Sequence, residues 1–325
     1  MPDVAMRAKF RPIDWSGSPR VLRRGTWWGV LKRVVGEFQR DNVTDWAAAL
    51  TYYSVLSVFP AIIVLTALLG SLGPTATGEL IDTIRELGPG SGTDLLVNAV
   101  NELQNSQSAA GPLAIIGIAT ALWTASGYIG AFIRAANAIY EVEEGRPIWK
   151  TVPVRLGLTA AMVALLGIVA LGVVATGSVA EWVGNRLGIG SAAVTAWDIL
   201  KWPVLAILMS LAIALLYWAA PNAKQPGFTW ITPGSVLAVL VWIVASAGFT
   251  LYVANFGSYN KVYGSLAGAV IFLVWLWITN IAVLLGAEFN AEIARGRRIE
   301  QGLPPDEEPF LPLRDIPDNQ KEKQP

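Results

Sequence analysis

Cysteine and histidine are both absent from this 325-residue chain. Without cysteine no disulfide can form, and without histidine the chain lacks the commonest metal ligand and the usual general base at neutral pH. A Ser-His-Asp triad is therefore excluded, and the sequence contains neither a GxSxG motif nor a Walker A motif. A magnesium site made only of carboxylates stays open, but its ligands would have to converge from separate segments.

Charged residues are scarce as well. They make up 15% of the chain, against roughly 25% in a soluble domain, while 54% of residues are hydrophobic and the mean hydropathy is +0.48. The formal net charge is zero, so no global positive field favours a nucleic acid as partner. The composition therefore predicts a membrane protein whose partners are membrane lipids. We expect no cofactor.

Six apolar runs are long enough to cross a bilayer core about 30 Å thick, which takes about 20 helical residues. They cover residues 46–70, 111–136, 152–177, 202–220, 233–254 and 264–287. We therefore predict an all-α, polytopic membrane protein with a six-helix transmembrane domain over residues 46–287.

Basic residues favour one side of this predicted domain. The N-terminal segment, the second and fourth connections, the tail, and Arg134 and Arg155 at the span ends beside the second connection together hold 20 of the 24 Lys and Arg residues. By the positive-inside rule, both termini are expected in the cytoplasm. The first 45 residues show no cleaved signal peptide, so we expect the first span to act as the insertion signal.

The segments outside the spans differ in character. Within the basic segment 1–45, residues 25–40 place apolar side chains at helical spacing and predict an amphipathic helix. This helix is expected either to lie on the anionic inner leaflet or to pack against the spans. Residues 71–110 predict one or two short helices over the outer surface. The cytoplasmic tail 288–325 is expected to be disordered after about residue 303, because it is rich in proline and charge.

Hydroxyl groups crowd the first predicted span, in the stretch AAALTYYSVLSVFP. Tyr53, Ser57 and Pro60 share one helical face and Tyr52 lies beside it, while Pro60 leaves a preceding carbonyl without its usual donor. These hydroxyl groups either bond to the backbone and to neighbouring helices or line a path for a solute.

Arg134 is the most informative residue of the second predicted span, where its position places it at the inner interface. It is expected to snorkel to lipid phosphate, to pair with Glu141 or Glu288, or to recognise a phosphate or carboxylate of a substrate. Trp123 lies among polar neighbours on the same span. A cytoplasmic ring of charge is expected to combine Arg134 and Glu288 with Asp45 and Asn137.

The candidate residues fall into two sets. The predicted substrate path comprises Tyr52, Tyr53, Ser57, Pro60, Trp123, Arg134, Asn137, Tyr259, Asn260, Glu288 and Asn290. Four glycines are predicted to permit close helix packing, namely Gly127, Gly130, Gly264 and Gly268.

Five stretches together resemble the YihY/BrkB family of bacterial inner-membrane proteins. They are AAALTYYSVLSVFP, FIRAANAIYEVEEGRP, WAAPNAK, YNKVYGSLAG and LLGAEFNAE, in this order, and the resemblance covers roughly residues 25–300. It implies a six-span, all-helical protein of the inner membrane. Members of the family have carried labels as serum-resistance factors, as a ribonuclease and as transporters, so the resemblance implies architecture rather than activity.

Three classes of function follow. We favour a transporter or translocator of a lipid or another amphipathic anion, because buried hydroxyls and amides cost free energy unless they are paired and a scaffold has little need for them. A membrane scaffold or envelope-assembly factor is the alternative. A hydrolase is disfavoured by the lack of histidine, so we expect no catalytic residue and no metal. The oligomeric state is not predicted.

Overall fold

The computed structural model describes residues 22, 24–71, 78, 81–82, 97, 111–174, 191–225, 227–254 and 265–318. Within that part of the chain seven helices are defined and no strand occurs, apart from one isolated bridge between Ala223 and Leu313. The predicted all-α fold is confirmed. The short helices predicted over residues 71–110 lie almost entirely outside the described residues.

The seven helices are numbered in chain order. They are α1 Arg24–Arg40, α2 Val43–Ser71, α3 Gly111–Ile139, α4 Ile148–Val174, α5 Ser191–Ala219, α6 Pro233–Ala254 and α7 Ser265–Glu300. Two of them, α5 and α7, are much longer than the apolar runs from which they were predicted. Helix α5 starts eleven residues before the run 202–220, because Asp198 and Lys201 lower the hydropathy without breaking the helix.

Four helices of the described chain are long and apolar enough to cross a membrane. These stretches are Ile148–Val173, Ile199–Ala219, Pro233–Val253 and Gly268–Glu300. The predicted spans 46–70 and 111–136 coincide with α2 and α3, which have 29 residues each. Parts of both helices carry side chains outside the described residues, so the count of six spans stays a prediction.

Helices α2 to α7 form a closed ring of neighbours. Each packs against the next along the chain, and α7 packs back against α2 and also contacts α3. At 1.5 Å per residue the 36 residues of α7 make a helix about 54 Å long, which exceeds a hydrocarbon core of about 30 Å. Its last turns therefore extend beyond the ring and offer a surface to α1.

Helix α1 packs against this extension of α7. Val30 and Val34 are buried against Ile293, with Trp27 and Phe289 partly buried beside them. Of the two predicted placements for the amphipathic helix, the structure shows packing against the neighbouring helix.

Glycine brings α6 and α7 into close contact at a pair that the sequence analysis did not single out. A Cβ built on Gly234 would collide with the carbonyl oxygen of Gly286, and a Cβ on Gly286 with that of Gly234. Among the predicted packing glycines, a Cβ on Gly127 would lie 3.1 Å from Tyr53 Cδ1 and one on Gly130 would lie 3.2 Å from Arg155 Cδ.

The other two predicted packing glycines differ. Among the residues that the structure describes, a Cβ on Gly268 would meet nothing within 4 Å, so none of them packs closely against this glycine. Gly264 lies outside the described residues.

The segment 303–318 is packed, so the expected disorder after about residue 303 is wrong for this stretch. Phe310 and Leu311 are buried, and Phe310 stacks on Tyr140 with ring centroids 6.1 Å apart. Arg314 donates from Nε to the carbonyl of Ala223 at 2.8 Å and from Nη2 to the carbonyl of Trp218. Proline and charge weakened the hydropathy signal, but two apolar side chains and one arginine anchor the segment.

One end of the helix ring thus carries α1, the α3–α4 turn, the α5–α6 connection and the segment 303–318. We call it the terminal end. The pairing of Arg295 with Glu141 and the hydrogen bonds of Asn222 to Asn137 and Asp315 join these parts.

Candidate functional site

The hydroxyl groups of α2 bond mainly to their own helix. Thr51 donates to the carbonyl of Ala47 at 2.7 Å, and Ser57 donates to that of Tyr53 at 2.8 Å. Tyr53 is half-buried, whereas Tyr52 is exposed and meets the Tyr53 ring edge-on. Serine and threonine in apolar helices commonly bond in this way.

A small polar network links α2, α3 and α7 in the ring interior. Asn280 is buried, donates to Thr51 Oγ1 at 3.2 Å and accepts from the hydroxyl of Tyr128 at 3.0 Å. It also lies 3.5 Å from Ser54 Oγ. Each of these groups is neutral, so the network holds three helices together without burying a charge.

Two predicted path residues hold connections in place. Asn137 accepts from the backbone N–H of Asn222 at 2.7 Å and donates to Glu144 at 3.0 Å. Asn290 accepts from the N–H of Gly234 at 2.9 Å and donates to Thr232 Oγ1 at 2.9 Å, which fixes the start of α6 on α7.

The structure does not describe the side chains of three other predicted path residues. Pro60 lies within α2, but its side chain is outside the described residues, as are Tyr259 and Asn260 altogether.

Arg146 is a buried anchor that the sequence analysis did not single out. Its Nε and Nη2 donate to the two carboxylate oxygens of Glu144 at 2.8 and 2.7 Å, and Nη2 also donates to the carbonyl of Ala220 at 2.7 Å. Burial raises the pKa of Glu144, but the hydrogen bonds from Arg146 outweigh burial and leave it below the ordinary value. This fork fastens the α3–α4 turn to the end of α5.

Arg134 and Arg155 come together beside Gly130, on two helices, α3 and α4, that pack against each other. Arg134 is exposed and its Nη1 donates to the carbonyl of Gly130 at 3.1 Å. A Cβ on Gly130 would lie 3.5 Å from Nη1 of Arg155 and 3.8 Å from Nη1 of Arg134. The Arg155 guanidinium also lies 5.1 Å from the ring centre of Trp123, which is 58% exposed. We call Arg134, Arg155 and Trp123 the arginine pair site.

No described carboxylate pairs with either of these arginines. The expected pairing of Arg134 with Glu141 or Glu288 is therefore not found, because Glu141 pairs with Arg295 and Glu288 contacts Asp41.

The predicted ring of charge does not form either. Asp45 is exposed on the first turn of α2, and Asn137 bonds to backbone and to Glu144. The partners of a charged side chain depend on which helix ends meet, and spacing along the chain does not contain that information.

A simple sequence signal would have found Arg155. Arg134 and Arg155 are the only charged residues inside the six predicted spans. Charged side chains are costly in a bilayer and mark functional sites there, and the structure brings these two into one place.

Five carboxylates gather at the terminal end, from the last turn of α1, the α1–α2 turn, the α3–α4 turn and the last turns of α7. We call Glu37, Asp41, Glu141, Glu288 and Glu292 the carboxylate cluster. Glu292 pairs with Arg33 and with Arg295, the latter at 3.0 Å, and Glu37 pairs with Arg40 at 2.9 Å. Glu288 is 1% exposed, and its carboxyl group lies within hydrogen-bonding reach of that of Asp41.

Burial and neighbouring charges raise the pKa of two members of this cluster, Asp41 and Glu141. Burial, followed by the nearby Glu37 carboxylate, raises the pKa of Asp41 to about 6. Burial also raises the pKa of Glu141 to about 7, against the lowering effect of Arg295. Glu141 has a positive φ of 53°, an unusual conformation for glutamate, and in it the side chain reaches Arg295.

Comparisons with known proteins fit this architecture. A family model described as Virulence factor BrkB matches residues 34–309. The chain is similar to a ribonuclease-like protein, YfkH, of Bacillus subtilis, with 29% identity over 280 residues that cover 86% of this chain and 98% of that protein. No solved structure matches this chain.

Relatives named UPF0761 membrane proteins are also similar. One from Rhodospirillum centenum is 29% identical over 274 residues, and one from Photobacterium profundum is 29% identical over 264 residues. The matches cover 83% and 80% of this chain, and 58% and 79% of those relatives. Because the family model spans most of the chain, this membrane protein belongs to the YihY/BrkB family, as its sequence motifs predicted.

Proposed function

We propose that this protein translocates a phosphate-bearing amphiphile, such as an anionic lipid, across the bacterial inner membrane. One observation carries the proposal: the only two charged side chains of the predicted spans, Arg134 and Arg155, converge beside Gly130 without a carboxylate partner among the described residues.

Two guanidinium groups near each other repel unless an anion lies between them. A phosphate group suits this position, because its oxygens accept two parallel hydrogen bonds from the planar fork of an arginine. The cytoplasmic leaflet of a bacterial membrane is rich in anionic headgroups. The arginine pair is therefore a complement to a lipid phosphate at the depth where headgroups lie.

The residues around Arg134 and Arg155 favour a fixed orientation of the two guanidinium groups. Trp123 lies against the Arg155 guanidinium, a cation–π contact that limits its orientations. The absence of a side chain at Gly130 leaves room for both arginines. An arginine that only snorkels needs neither feature.

The polar network around Asn280 supports passage of a lipid headgroup through the protein rather than lipid binding alone. Tyr128 lies on α3 six residues before Arg134, about 9 Å farther from the terminal end, and bonds to Asn280. Neutral hydrogen bonds between membrane helices contribute only about 0.6 kcal/mol each. Polar parts of an amphiphile can therefore replace them at low cost while the headgroup passes.

Orientation completes the proposal. The terminal end carries α1 and the segment 303–318, and the sequence places 20 of the 24 basic residues on that side of the predicted domain. The positive-inside rule puts this end in the cytoplasm. The arginine pair then faces the inner leaflet.

The test is a transbilayer assay with purified protein in liposomes that contain a trace of fluorescent phosphatidylglycerol. The wild type should accelerate exchange of the label between leaflets. Arg134→Lys and Arg155→Lys keep the charge but lose the bidentate fork, a loss of about 1.5 kcal/mol for a charged hydrogen bond, so exchange should slow about tenfold.

Lys224→Ala is the matched control. Lys224 is exposed at the same end, and its replacement deletes one positive charge outside the arginine pair site, so exchange should stay at the wild-type rate. Melting temperatures in detergent should agree among all these proteins. Exchange no faster than in empty liposomes, with lipid still bound in native mass spectrometry, would replace the translocator by a lipid-binding scaffold.

A further inference from the structure

We propose that the terminal end contains a proton-binding site, in which Asp41 and Glu288 share one proton between their carboxyl groups. The site lies in the carboxylate cluster and is separate from the arginine pair site. It does not depend on lipid translocation, and its test needs no transport.

The contact between the two carboxyl groups is the first argument. The two carboxyl groups lie within hydrogen-bonding reach of each other. An ionised carboxylate has only acceptors, so a hydrogen bond between two carboxyl groups requires a proton on one of them. Two carboxylates that share a site cannot both ionise cheaply, and the proton belongs to the pair.

The second argument is that the nearby cations are already paired. Arg33 pairs with Glu292, Arg40 pairs with Glu37, and Arg295 pairs with Glu141 and Glu292. No described arginine or lysine makes an ion pair with Asp41 or Glu288. A proton is therefore the available positive charge for this pair.

Burial is the third argument. Glu288 is 1% exposed and its Oε2 has no hydrogen-bond partner within the described part of the chain. An ionised carboxylate in this position would lack both water and a donor for that oxygen, which is costly. Asp41 is only half-buried, so it offers the proton a route between Glu288 and water.

The surrounding groups make the site more negative. Glu37 faces the pair from α1, Glu292 faces Glu288 from the next turn of α7, and Arg40 and Arg295 act on Asp41. These are accompanied by a wider set of charged or titratable neighbours, namely Arg33, Tyr140, Glu141 and Glu308. The five carboxylates of the cluster exceed its three arginines, Arg33, Arg40 and Arg295, so a bound proton reduces an excess of negative charge.

The pH range follows from the sign of the shift. The pKa of Asp41 is raised, and a carboxyl pair that holds a proton when folded but not when unfolded loses stability as the pH rises. Each such proton changes the unfolding equilibrium constant tenfold per pH unit. The dependence should extend from about pH 5 upward through neutral pH, where an unfolded carboxyl group is already ionised.

The experiment measures unfolding in detergent between about pH 5.5 and 8.5 for wild type and Glu288→Gln. An unfolded carboxyl group is ionised throughout this range. The glutamine amide supplies the donor that the proton supplies in the wild type, so this variant should keep the contact with Asp41. The unfolding constant of Glu288→Gln should depend less steeply on pH than that of the wild type, and the difference in slope should be about tenfold per pH unit. The melting temperature of the variant at about pH 8 should equal or exceed the wild-type value.

Two further measurements complete the design. Asp306→Asn removes an exposed carboxylate from the segment 303–318 and should keep the wild-type pH dependence. Infrared spectra near neutral pH should show the carbonyl stretch of a neutral carboxylic acid in wild type that is lost in Glu288→Gln. An unchanged pH dependence with lower stability in Glu288→Gln would overturn the proposal, and so would stabilisation by sodium in place of protons.

Discussion

Replacement of Gly286 by alanine tests the close backbone contact between α6 and α7. The added Cβ would collide with the carbonyl oxygen of Gly234 and with the hydroxyl of Tyr217, and it would lie 2.8 Å from Ala238 Cβ. Two of these neighbours are parts of helix α6, which cannot yield without moving as a unit. We expect α6 and α7 to separate and stability to fall.

The magnitude follows from three contributions. Overpacking of a close contact costs about 1–3 kcal/mol. The Tyr217 hydroxyl donates to the carbonyl of Val283, and displacement of this hydroxyl costs about 1 kcal/mol more. Alanine returns up to about 1 kcal/mol as the better helix former. The net loss is then about 1–3 kcal/mol.

The assay is thermal unfolding of the purified protein in detergent, with Gly268→Ala as the matched control on the same helix. A Cβ on Gly268 meets no described residue within 4 Å, so the control should gain helix propensity without a collision. At about 2–4 °C per kcal/mol for a domain of this size, Gly286→Ala should melt several degrees below wild type and Gly268→Ala at or slightly above it.

Two results would refute this reasoning. Equal melting temperatures for the two variants would show that α6 and α7 do not touch through their backbones. Additive losses in Gly234→Ala combined with Gly286→Ala would do the same, because two substitutions at one contact should cost less together than the sum of their separate effects.

Two other predictions concern the terminal end and the topology. Arg146→Lys should lower the melting temperature by several degrees, because lysine has no planar fork that can donate to both Glu144 and the carbonyl of Ala220. Lys224→Ala should leave the melting temperature unchanged. Equal melting temperatures of the two variants would show that Arg146 is not an anchor. Reporter fusions at Lys323 and at Gly90 should report the cytoplasm and the opposite side respectively, and two fusions on the same side would contradict the six-span arrangement.

The sequence was sufficient for the helices whose apolar runs are unbroken. The runs 233–254 and 152–177 agree closely with α6 and α4, and the amphipathic pattern of 25–40 agrees with α1. The family assignment was also predictable, because it depends on motifs read in order. These features are local and need no knowledge of which elements meet.

The contacts of charged and small residues were not predictable from spacing. Glu288 was expected near Arg134, but it contacts Asp41 because the last turns of α7 extend towards α1. Gly286 carries no motif, and its role arises only because Gly234 crosses it from a segment far earlier in the chain. The segment 303–318 was misjudged because composition measures average polarity, whereas its packing rests on Phe310, Leu311 and Arg314.

The packing of the segment 303–318 has a consequence for biosynthesis. The residues that fasten the α3–α4 turn and the α5–α6 connection, Phe310, Arg314 and Asp315 among them, follow every described helix of the ring along the chain. They leave the ribosome after the helices have been inserted, so the terminal end stays open until translation has passed them. A ribosome that stalls before residue 310 would leave inserted helices whose terminal end lacks its last packing layer, and a membrane protease could distinguish such chains from finished ones.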